Sequence, residues 1–134
     1  MLGRKMSVAI VDDDQSVRKA LARLLTANFF ETDTYGSAQE FIDSLSLKRP
    51  ECLVLDLHMP DFGGLELQHH LRRNGIKIPT VIITAHNEIG LRERCVNAGA
   101  VAFLVKPLPE NVLVESINSV TQGAEAPKDK GLGS

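Results

Sequence analysis

The sequence predicts an α/β domain built from five strands that alternate with five helices. Short, continuously apolar runs recur along the 134-residue chain, and segments with helical periodicity or helix-capping residues separate them. Strands that are apolar throughout are typical of a parallel sheet covered by helices on both faces. With 43% hydrophobic and 24% charged residues, the chain has the composition of one globular domain with a sizeable core.

The strands differ in polarity, and that difference predicts their order. They are predicted at 8–11, 31–35, 52–55, 80–84 and 101–105. The second strand, ETDTY, is the most polar and suits the edge of a sheet better than its centre. Together with right-handed crossovers, this favours the strand order 2-1-3-4-5. The predicted fold class is therefore a flavodoxin-like (βα)5 three-layer sandwich with a central, parallel, five-stranded sheet.

Each strand is followed by a predicted helix that has one apolar face. These faces run over 17–25, 41–45, 67–71, 91–98 and 113–120. Asp14 is predicted to be the N-cap of the first helix, and Ser37 and Glu40 are predicted to form an S-x-x-E capping box at the second. Gly75 ends the third helix, and Pro109 suits the first turn of the last one.

Charge and hydropathy exclude several classes of function. The net charge of −2 and the pI near 6.1 argue against nucleic-acid binding by this domain. The chain contains no apolar run long enough to span a membrane, and its N-terminal MLGRK has no apolar signal-peptide core. We therefore expect a cytoplasmic protein. Cys52 and Cys95 form no C-x-x-C pair and are expected to be reduced thiols.

Polar residues stand at the carboxyl ends of four predicted strands. Asp12 and Asp13 follow the first strand, Asp56 follows the third, Thr84 ends the fourth and Lys106 follows the fifth. Open parallel sheets bind their ligands beyond this edge. Each residue alone has a simpler explanation, as a turn residue, a helix cap or a surface lysine. Their coincidence at one edge indicates a functional site.

The three carboxylates define the chemistry of the predicted site. Carboxylates without a cysteine or histidine constellation suit Mg²⁺ rather than zinc. A buried acid is costly unless it is paired or bound to a metal, so Asp56 at the end of an apolar strand needs a cation. Asp56 could then act as a nucleophile and form an aspartyl phosphate. Mg²⁺ and Lys106 would offset the phosphoryl charge, and Thr84 would donate a hydrogen bond to a phosphoryl oxygen.

Four short motifs along the chain resemble those of one signalling family. They are VDDD at 11–14, DLHMP at 56–60, TA at 84–85 and KP at 106–107. In this order and on these strands, they resemble the receiver domains of two-component response regulators. The stretches NAGAVAFLVKP and TAH are most similar to receivers of nitrogen-fixation-type transcription regulators.

The resemblance implies roles for the residues of the predicted site. The implied Mg²⁺ ligands are Asp12, Asp13, Asp56 and the backbone carbonyl of His58. Asp56 is implied to accept a phosphoryl group from a histidine kinase, and Thr84 and Lys106 are implied to contact that group. The resemblance also implies a cis peptide bond between Lys106 and Pro107.

Other residues are implied to transmit or time the signal. Phe103 occupies the position of the family's switch aromatic, and we expect it to rotate inward when Thr84 turns towards the phosphoryl group. Because phenylalanine has no hydroxyl, such a switch would be steric. His58 and His86 are implied to flank the path of the attacking water and to tune dephosphorylation. The surface of the fourth helix and fifth strand is implied to form a homodimer or to bind a partner.

The predicted function is a phosphorylation-controlled signalling switch that catalyses only its own phosphorylation and dephosphorylation. One alternative is a Mg²⁺-dependent phosphatase with an aspartate nucleophile, which requires a D-x-D pair that DLHMP lacks. A second is a receiver-like interaction module that is never phosphorylated, against which the complete site argues. Arg92 and Arg94 are expected to be solvated surface charges.

The receiver domain is predicted to span residues 7–121. The segment 122–134 is rich in glycine, proline and lysine, and we predict that it is a tail or linker. No helix-turn-helix segment follows the domain, so an output domain is expected to lie outside this chain.

Overall fold

A computed structural model of the chain describes residues 5–59, 62–85 and 88–123, and in the last helix the side chains of 111–119. The strands are β1 (Ser7–Val11), β2 (Glu31–Tyr35), β3 (Cys52–Asp56), β4 (Thr80–Thr84) and β5 (Ala100–Val105). The helices are α1 (Gln15–Ala27), α2 (Ala38–Ser44), α3 (Gly64–Arg73), α4 (Leu91–Asn97) and α5 (Glu110–Gly123). The predicted alternation of strands and helices is confirmed. The predicted tail lies outside the described residues except for its first two, which α5 includes.

The sheet is parallel throughout, with the strand order β2-β1-β3-β4-β5. This order confirms the prediction, including the position of the polar strand β2 at one edge. Every residue of the three central strands is buried, whereas β2 and β5 are partly exposed. The difference follows from position, because an edge strand has one neighbouring strand instead of two.

Two apolar layers cover the two faces of the sheet, which confirms the three-layer prediction. Side chains of α2, α3 and α4 pack on one face, where the buried cluster includes Phe41, Leu67, Leu91, Cys95 and Phe103. Side chains of α1 and α5 pack on the other face, where the cluster includes Leu25, Cys52, Leu113 and Ile117. Both cysteines are free and buried, and burial raises the pKa of the Cys52 thiol to about 12.

The helix boundaries follow the predicted capping residues, with two corrections. Asp14 is the N-cap of α1, and its carboxylate accepts hydrogen bonds from the backbone N–H groups of the first turn. The Ser37 hydroxyl caps α2, but Glu40 accepts from the N–H of Gly36 at 3.0 Å, one residue earlier than a capping box requires. Pro109 lies immediately before α5 and not in its first turn.

The loop from α1 to β2 contains a strained residue. Phe29 has a φ of 70°, a left-handed conformation that favours glycine, and its side chain is 77% exposed. It stands where α1 ends: the N–H of Phe29 donates to Thr26 and the N–H of Phe30 donates to Leu25. Within the described ranges, no helix has the length and apolar composition needed to cross a bilayer.

Candidate functional site

Five predicted site residues meet at the carboxyl edge of the sheet. Asp12 and Asp13 directly follow β1, Asp56 and Thr84 are the last residues of β3 and β4, and Lys106 directly follows β5. Because the strands are parallel and adjacent, their carboxyl ends lie side by side. One carboxylate oxygen from each of Asp12, Asp13 and Asp56 lies within 4.8 Å of the other two. The sequence prediction of an acidic cluster at this edge is confirmed.

Asp12 is the most buried acid of the site, with 1% of its surface exposed. Its Oδ1 accepts a hydrogen bond from the N–H of Asp14 at 2.9 Å. Its Oδ2 has no hydrogen-bond partner within the described part of the chain, and the Lys106 Nζ lies 3.5 Å away. The Asp12 backbone is held on both sides, since its N–H donates to Tyr35 and its carbonyl accepts from Arg18 at 2.7 Å.

Asp56 is 7% exposed and accepts a 3.3 Å hydrogen bond from the N–H of His58. Burial raises the pKa of its carboxyl to about 6, and the negative charges of Asp12 and Asp13 contribute to the rise. Lys106 and the His58 N–H oppose the shift without cancelling it. Burial and the neighbouring acids therefore disfavour the carboxylate form of Asp56, and a bound cation would offset this effect.

The donor set fits a hard divalent cation. Three carboxylates converge on one point, and the buried Asp12 Oδ2 is available to a cation because no hydrogen bond in the described part of the chain uses it. Oxygen ligands of this kind suit Mg²⁺, which usually keeps several waters and takes few ligands from the protein. The raised pKa of Asp56, to which the charges of Asp12 and Asp13 contribute, leads to the same conclusion.

Thr84 and Lys106 complete the edge. The Thr84 side chain is fully buried, and its backbone carbonyl accepts a hydrogen bond from the N–H of Lys106 at 2.8 Å. The peptide bond between Lys106 and Pro107 is cis. The Lys106 side chain starts beyond β5 yet reaches Asp12 beyond β1, so it extends across the ends of β4 and β3. The long, flexible side chain of lysine makes this possible.

Gly64 is a structural requirement of the site that the sequence interpretation missed. A Cβ atom at this position would lie 2.8 Å from the backbone oxygen of Asp56 and 2.9 Å from the Cα of Leu57. The missing side chain lets α3 begin directly against the end of β3, and the N–H of Gly64 donates to Leu57 at 3.1 Å. The adjacent glycines at 63 and 64, close after the DLHMP motif, were the available signal.

Phe103 and Arg92 connect β5 to α4. The Phe103 ring is in the inward position, 3% exposed, within the cluster that includes α4. The guanidinium of Arg92 lies over this ring, 5.1 Å from its centroid, and Nη2 donates to the Phe103 carbonyl at 3.3 Å. Arg92 is exposed, as predicted for a solvated charge, and it makes these two contacts with Phe103 in addition. In the sequence pattern, Arg92 occupies a position typical of an exposed helical residue. Its contact with Phe103 depends on how α4 packs against β5, which the pattern does not reveal.

Of the two histidines of the predicted site, one lies within the described residues and the other does not. His58 has an exposed side chain, and its backbone N–H contacts Asp56. His86 lies outside the described residues, so its predicted role in dephosphorylation stays a prediction. The role predicted for the His58 side chain stays one as well.

Comparisons with known proteins agree with this geometry. The family model described as the response regulator receiver domain matches residues 8–118. The transcriptional regulatory protein FixJ of Rhizobium meliloti is 39% identical over 126 residues, covering 92% of this chain and 62% of FixJ. Nodulation protein W of Bradyrhizobium diazoefficiens is 36% identical, covering 88% of this chain and 52% of that protein.

Solved structures give the same result. The crystal structure of FixJ-N superposes with a TM-score of 0.82 at 38% identity, covering 89% of this chain and 95% of that one. The structure of the response regulator StyR superposes with a TM-score of 0.79 at 44% identity, covering 91% of this chain and 62% of that one.

The chain belongs to the response regulator receiver family, the receiver domains of two-component systems. It is a phospho-accepting signalling domain similar to that of FixJ, and neither the phosphatase nor the unphosphorylated module is favoured. Response regulators take phosphoryl groups from histidine kinases, and the relatives include transcription regulators. The chain spans about half to three fifths of the length of the curated relatives it matches.

Proposed function

We propose that Asp56 is the phosphoacceptor of this receiver and that a histidine kinase is its donor. The observation that carries the proposal is the position of Asp56 at the end of a buried strand. There it lies within 4.8 Å of two further carboxylates, at an edge that Lys106 also reaches. An ionised carboxylate in such a place is a nucleophile whose charge must be offset by cations before a phosphoryl group can approach.

The proposed transfer is a displacement at phosphorus. A carboxylate oxygen of Asp56 forms a bond to the phosphorus atom, the P–N bond of the kinase phosphohistidine breaks, and the imidazole leaves with the electron pair. Hydrolysis reverses the modification: water attacks phosphorus, and the carboxylate of Asp56 and inorganic phosphate are released. The domain acts only on its own phosphoryl group in this scheme, so we do not propose an enzyme with a separate substrate.

The proposed metal ligands are Asp12, Asp13, Asp56 and the backbone carbonyl of His58. Receiver domains bind Mg²⁺ at an acidic pocket of this kind. Bound there, Mg²⁺ supplies positive charge against the phosphoryl oxygens. The Lys106 ammonium supplies a second, mobile positive charge, and the Thr84 hydroxyl supplies a hydrogen bond to a phosphoryl oxygen.

A groove beside the site supports the proposed kinase contact. It has a volume of about 680 Å³ and lies between α1 and the loop after β5, where mostly apolar residues line it: Val17, Ala20, Leu21, Pro107 and Leu108. Lys106 lines the same groove, so a kinase helix that docked there would bring its phosphohistidine close to the site.

The proposed output is a change in the α4/β5 surface. Thr84 turns towards the phosphoryl group and leaves space that the inward Phe103 ring fills, and the surface in this state binds a partner or a second copy of the chain as a homodimer. We further propose that the domain lies in the cytoplasm and contacts no nucleic acid itself. Because its relative FixJ is a transcriptional regulatory protein, we also propose that the domain controls a transcriptional output. The predicted boundaries of 7–121 and the separate tail belong to this proposal.

The metal assignment is tested by titrating Mg²⁺ against the wild type, Asp13→Asn and the control Asp14→Asn. The control removes one negative charge next to the site and keeps the α1 cap, because asparagine caps helices as well as aspartate does. We expect Asp13→Asn alone to lose affinity by roughly tenfold or more, as loss of a charged ligand implies. Equal affinities for all three proteins would refute the assignment.

The phosphoacceptor is tested with acetyl phosphate and with beryllofluoride, each with Mg²⁺. Mass spectrometry of peptides should place one phosphoryl group on Asp56, and Asp56→Asn should abolish both the modification and beryllofluoride binding. Label on a histidine, or label that survives Asp56→Asn, would sink the proposal. His58→Ala should alter mainly the rate at which the acyl phosphate decays.

The output is tested by light scattering with and without beryllofluoride. The wild type is expected to dimerise on activation, while Thr84→Ala should still bind the mimic but dimerise poorly. A variant that dimerises as well as the wild type would contradict the relay through Thr84. A kinase that phosphorylates Ala20→Glu as fast as the wild type, although acetyl phosphate modifies both equally, would contradict docking in the groove.

A further inference from the structure

Arg92 joins the first turn of α4 to β5 through two contacts with one residue. Its guanidinium lies 5.1 Å from the centroid of the Phe103 ring, and its Nη2 donates a 3.3 Å hydrogen bond to the Phe103 carbonyl. The first contact requires the ring to be inward, because an arginine covers an aromatic face only where that face is presented to it. The second contact holds the guanidinium in place above the strand.

The Phe103 carbonyl is available because β5 is an edge strand. The N–H of Lys106 donates to the Thr84 carbonyl in β4. Backbone groups alternate in direction along a strand, so Leu104 faces β4 in the same way and Phe103 faces away from it. Among the described residues, no strand lies on that side of β5. Arg92 therefore supplies the donor that a further strand would otherwise provide.

The Phe103 ring lies next to the part of β4 that reaches the acidic site. Phe103 is paired with Ile82 across the two strands, and Thr84 is two residues further along β4, on the same face of the sheet. The ring has no hydroxyl and thus no directional bond of its own. Dispersion contacts and the guanidinium above it decide its position.

The first turn of α4 is well placed to move the guanidinium. Gly90, immediately before α4, has a φ of 82°, and no side chain in the described ranges caps the helix with a hydrogen bond. Helix α4 has seven residues, of which Leu91 and Cys95 are buried. A shift of this first turn would withdraw Arg92 from the ring without disturbing the sheet.

We propose that Arg92 is the positioning residue that holds the Phe103 ring inward and couples it to α4. This deepens the proposed function and rests on it, because the ring is the steric element between Thr84 and the α4/β5 surface. A shift of α4 frees the ring, and a ring that leaves its inward position frees α4. The two elements therefore change together.

The ring position is tested directly by NMR, through contacts between the Phe103 ring and the methyl groups of Ile82. In Arg92→Ala, the ratio of the inward to the outward population of the Phe103 ring should fall roughly fivefold. This is the change expected from the loss of one cation–π contact at a partly exposed site. Arg94→Ala removes a charge from the same helix without touching Phe103 and should leave the ratio unchanged. Arg92→Lys keeps the charge but loses the planar fork, and should be intermediate.

A double-mutant cycle shows whether the effect passes through the ring. Beryllofluoride affinity is measured in the wild type, Arg92→Ala, Phe103→Leu and the double variant. Arg92→Ala should weaken the affinity up to roughly fivefold with the ring present, since a less populated competent state lowers the apparent affinity. It should have no effect on this affinity in the Phe103→Leu background.

The outcomes separate the two proposals. If the wild type does not bind beryllofluoride at Asp56, the proposed function fails, and the NMR ratio alone decides the role of Arg92. If the wild type binds it but Arg92→Ala keeps the ring inward as fully as the wild type, the role of Arg92 is refuted. An effect of Arg92→Ala that persists in Phe103→Leu would refute it as well.

Discussion

Leu53 and Asp56 belong to the same strand, but they lie in regions of opposite character. The interior of the central strands is apolar, and Leu53 is 0% exposed. The carboxyl ends of the same strands hold buried acids. The pKa of Asp56 is raised to about 6, and the Asp12 Oδ2 has no hydrogen-bond partner in the part of the chain that the structure describes. The interior of the strands stabilises the fold. The buried acids at the strand ends destabilise it, and they form the site that binds ligands.

The largest expected effect on the free energy of unfolding comes from a substitution in the strand interior. Leu53→Ala removes a fully buried side chain from the larger cluster and should lower the free energy of unfolding by about 2–5 kcal/mol. The control Leu47→Ala alters a side chain that is 89% exposed, and we expect less than about 0.5 kcal/mol there. Urea unfolding measures both changes. Mg²⁺ affinity of the folded Leu53→Ala protein should stay at the wild-type value.

At the strand end, by contrast, a substitution is expected to raise the free energy of unfolding. The folded protein holds the Asp56 proton up to a pKa of about 6, whereas the unfolded chain releases it near the ordinary aspartate pKa of 3.8. The unfolding free energy therefore falls as pH rises between these two values and stays lower above them. In chelator at pH 7.5, Asp56→Asn should stabilise the fold by about 1–3 kcal/mol.

Two controls sharpen this result. The gain from Asp56→Asn should shrink as the pH falls and approach zero below about pH 3, where the wild-type carboxyl is protonated in both the folded and the unfolded state. Saturating Mg²⁺ should also reduce it, because the cation stabilises only the folded wild type. If Asp56→Asn were destabilising at pH 7.5 in chelator, the strand end would not be a site of unfavourable charge.

A matched pair of glycines tests how closely α3 must approach the site. In Gly64→Ala, the new Cβ meets backbone atoms at 2.8 and 2.9 Å, so we expect a loss of about 1–3 kcal/mol and weaker Mg²⁺ binding through displacement of Asp56. In Gly63→Ala, the one close contact of the Cβ, at 2.8 Å, is with the flexible Glu66 carboxylate, and the nearest backbone atom, the Leu57 oxygen, lies at 3.4 Å. The cost should therefore be at most about 1 kcal/mol. Equal losses in the two variants would show that close approach is not the cause.

The smallest expected effect on the free energy of unfolding comes from relieving backbone strain at Phe29, away from the acidic site. Phe29 has a φ of 70° and is largely exposed, so Phe29→Gly should stabilise the fold by about 0.5–1 kcal/mol, after the greater flexibility of the unfolded glycine is counted. Phe29→Ala keeps a Cβ at positive φ and should bring no such gain. Mg²⁺ affinity should be unchanged in both variants, because Phe29 lies away from the acidic site.

Most of the fold and the chemical composition of the site could be predicted from local patterns. Continuous apolar runs separated by helical faces define strands and helices, and a polar second strand defines an edge, because burial in a parallel sheet depends on position. The acids, threonine and lysine directly follow these runs, and parallel strands place such residues at one edge. The motifs were therefore sufficient to predict where the site would form.

The tertiary structure alone decided the features that depend on distance. Lys106 reaches Asp12 across two intervening strands, Glu40 bonds to Gly36 and not to Ser37, and Arg92 covers Phe103 although its spacing is that of a surface residue. Local sequence specifies which face of an element is apolar, but not the ångström-scale offset at which two elements dock. Hydrogen bonds, charge contacts and the pKa of Asp56 vary steeply over such distances, so they emerge only when the elements are packed.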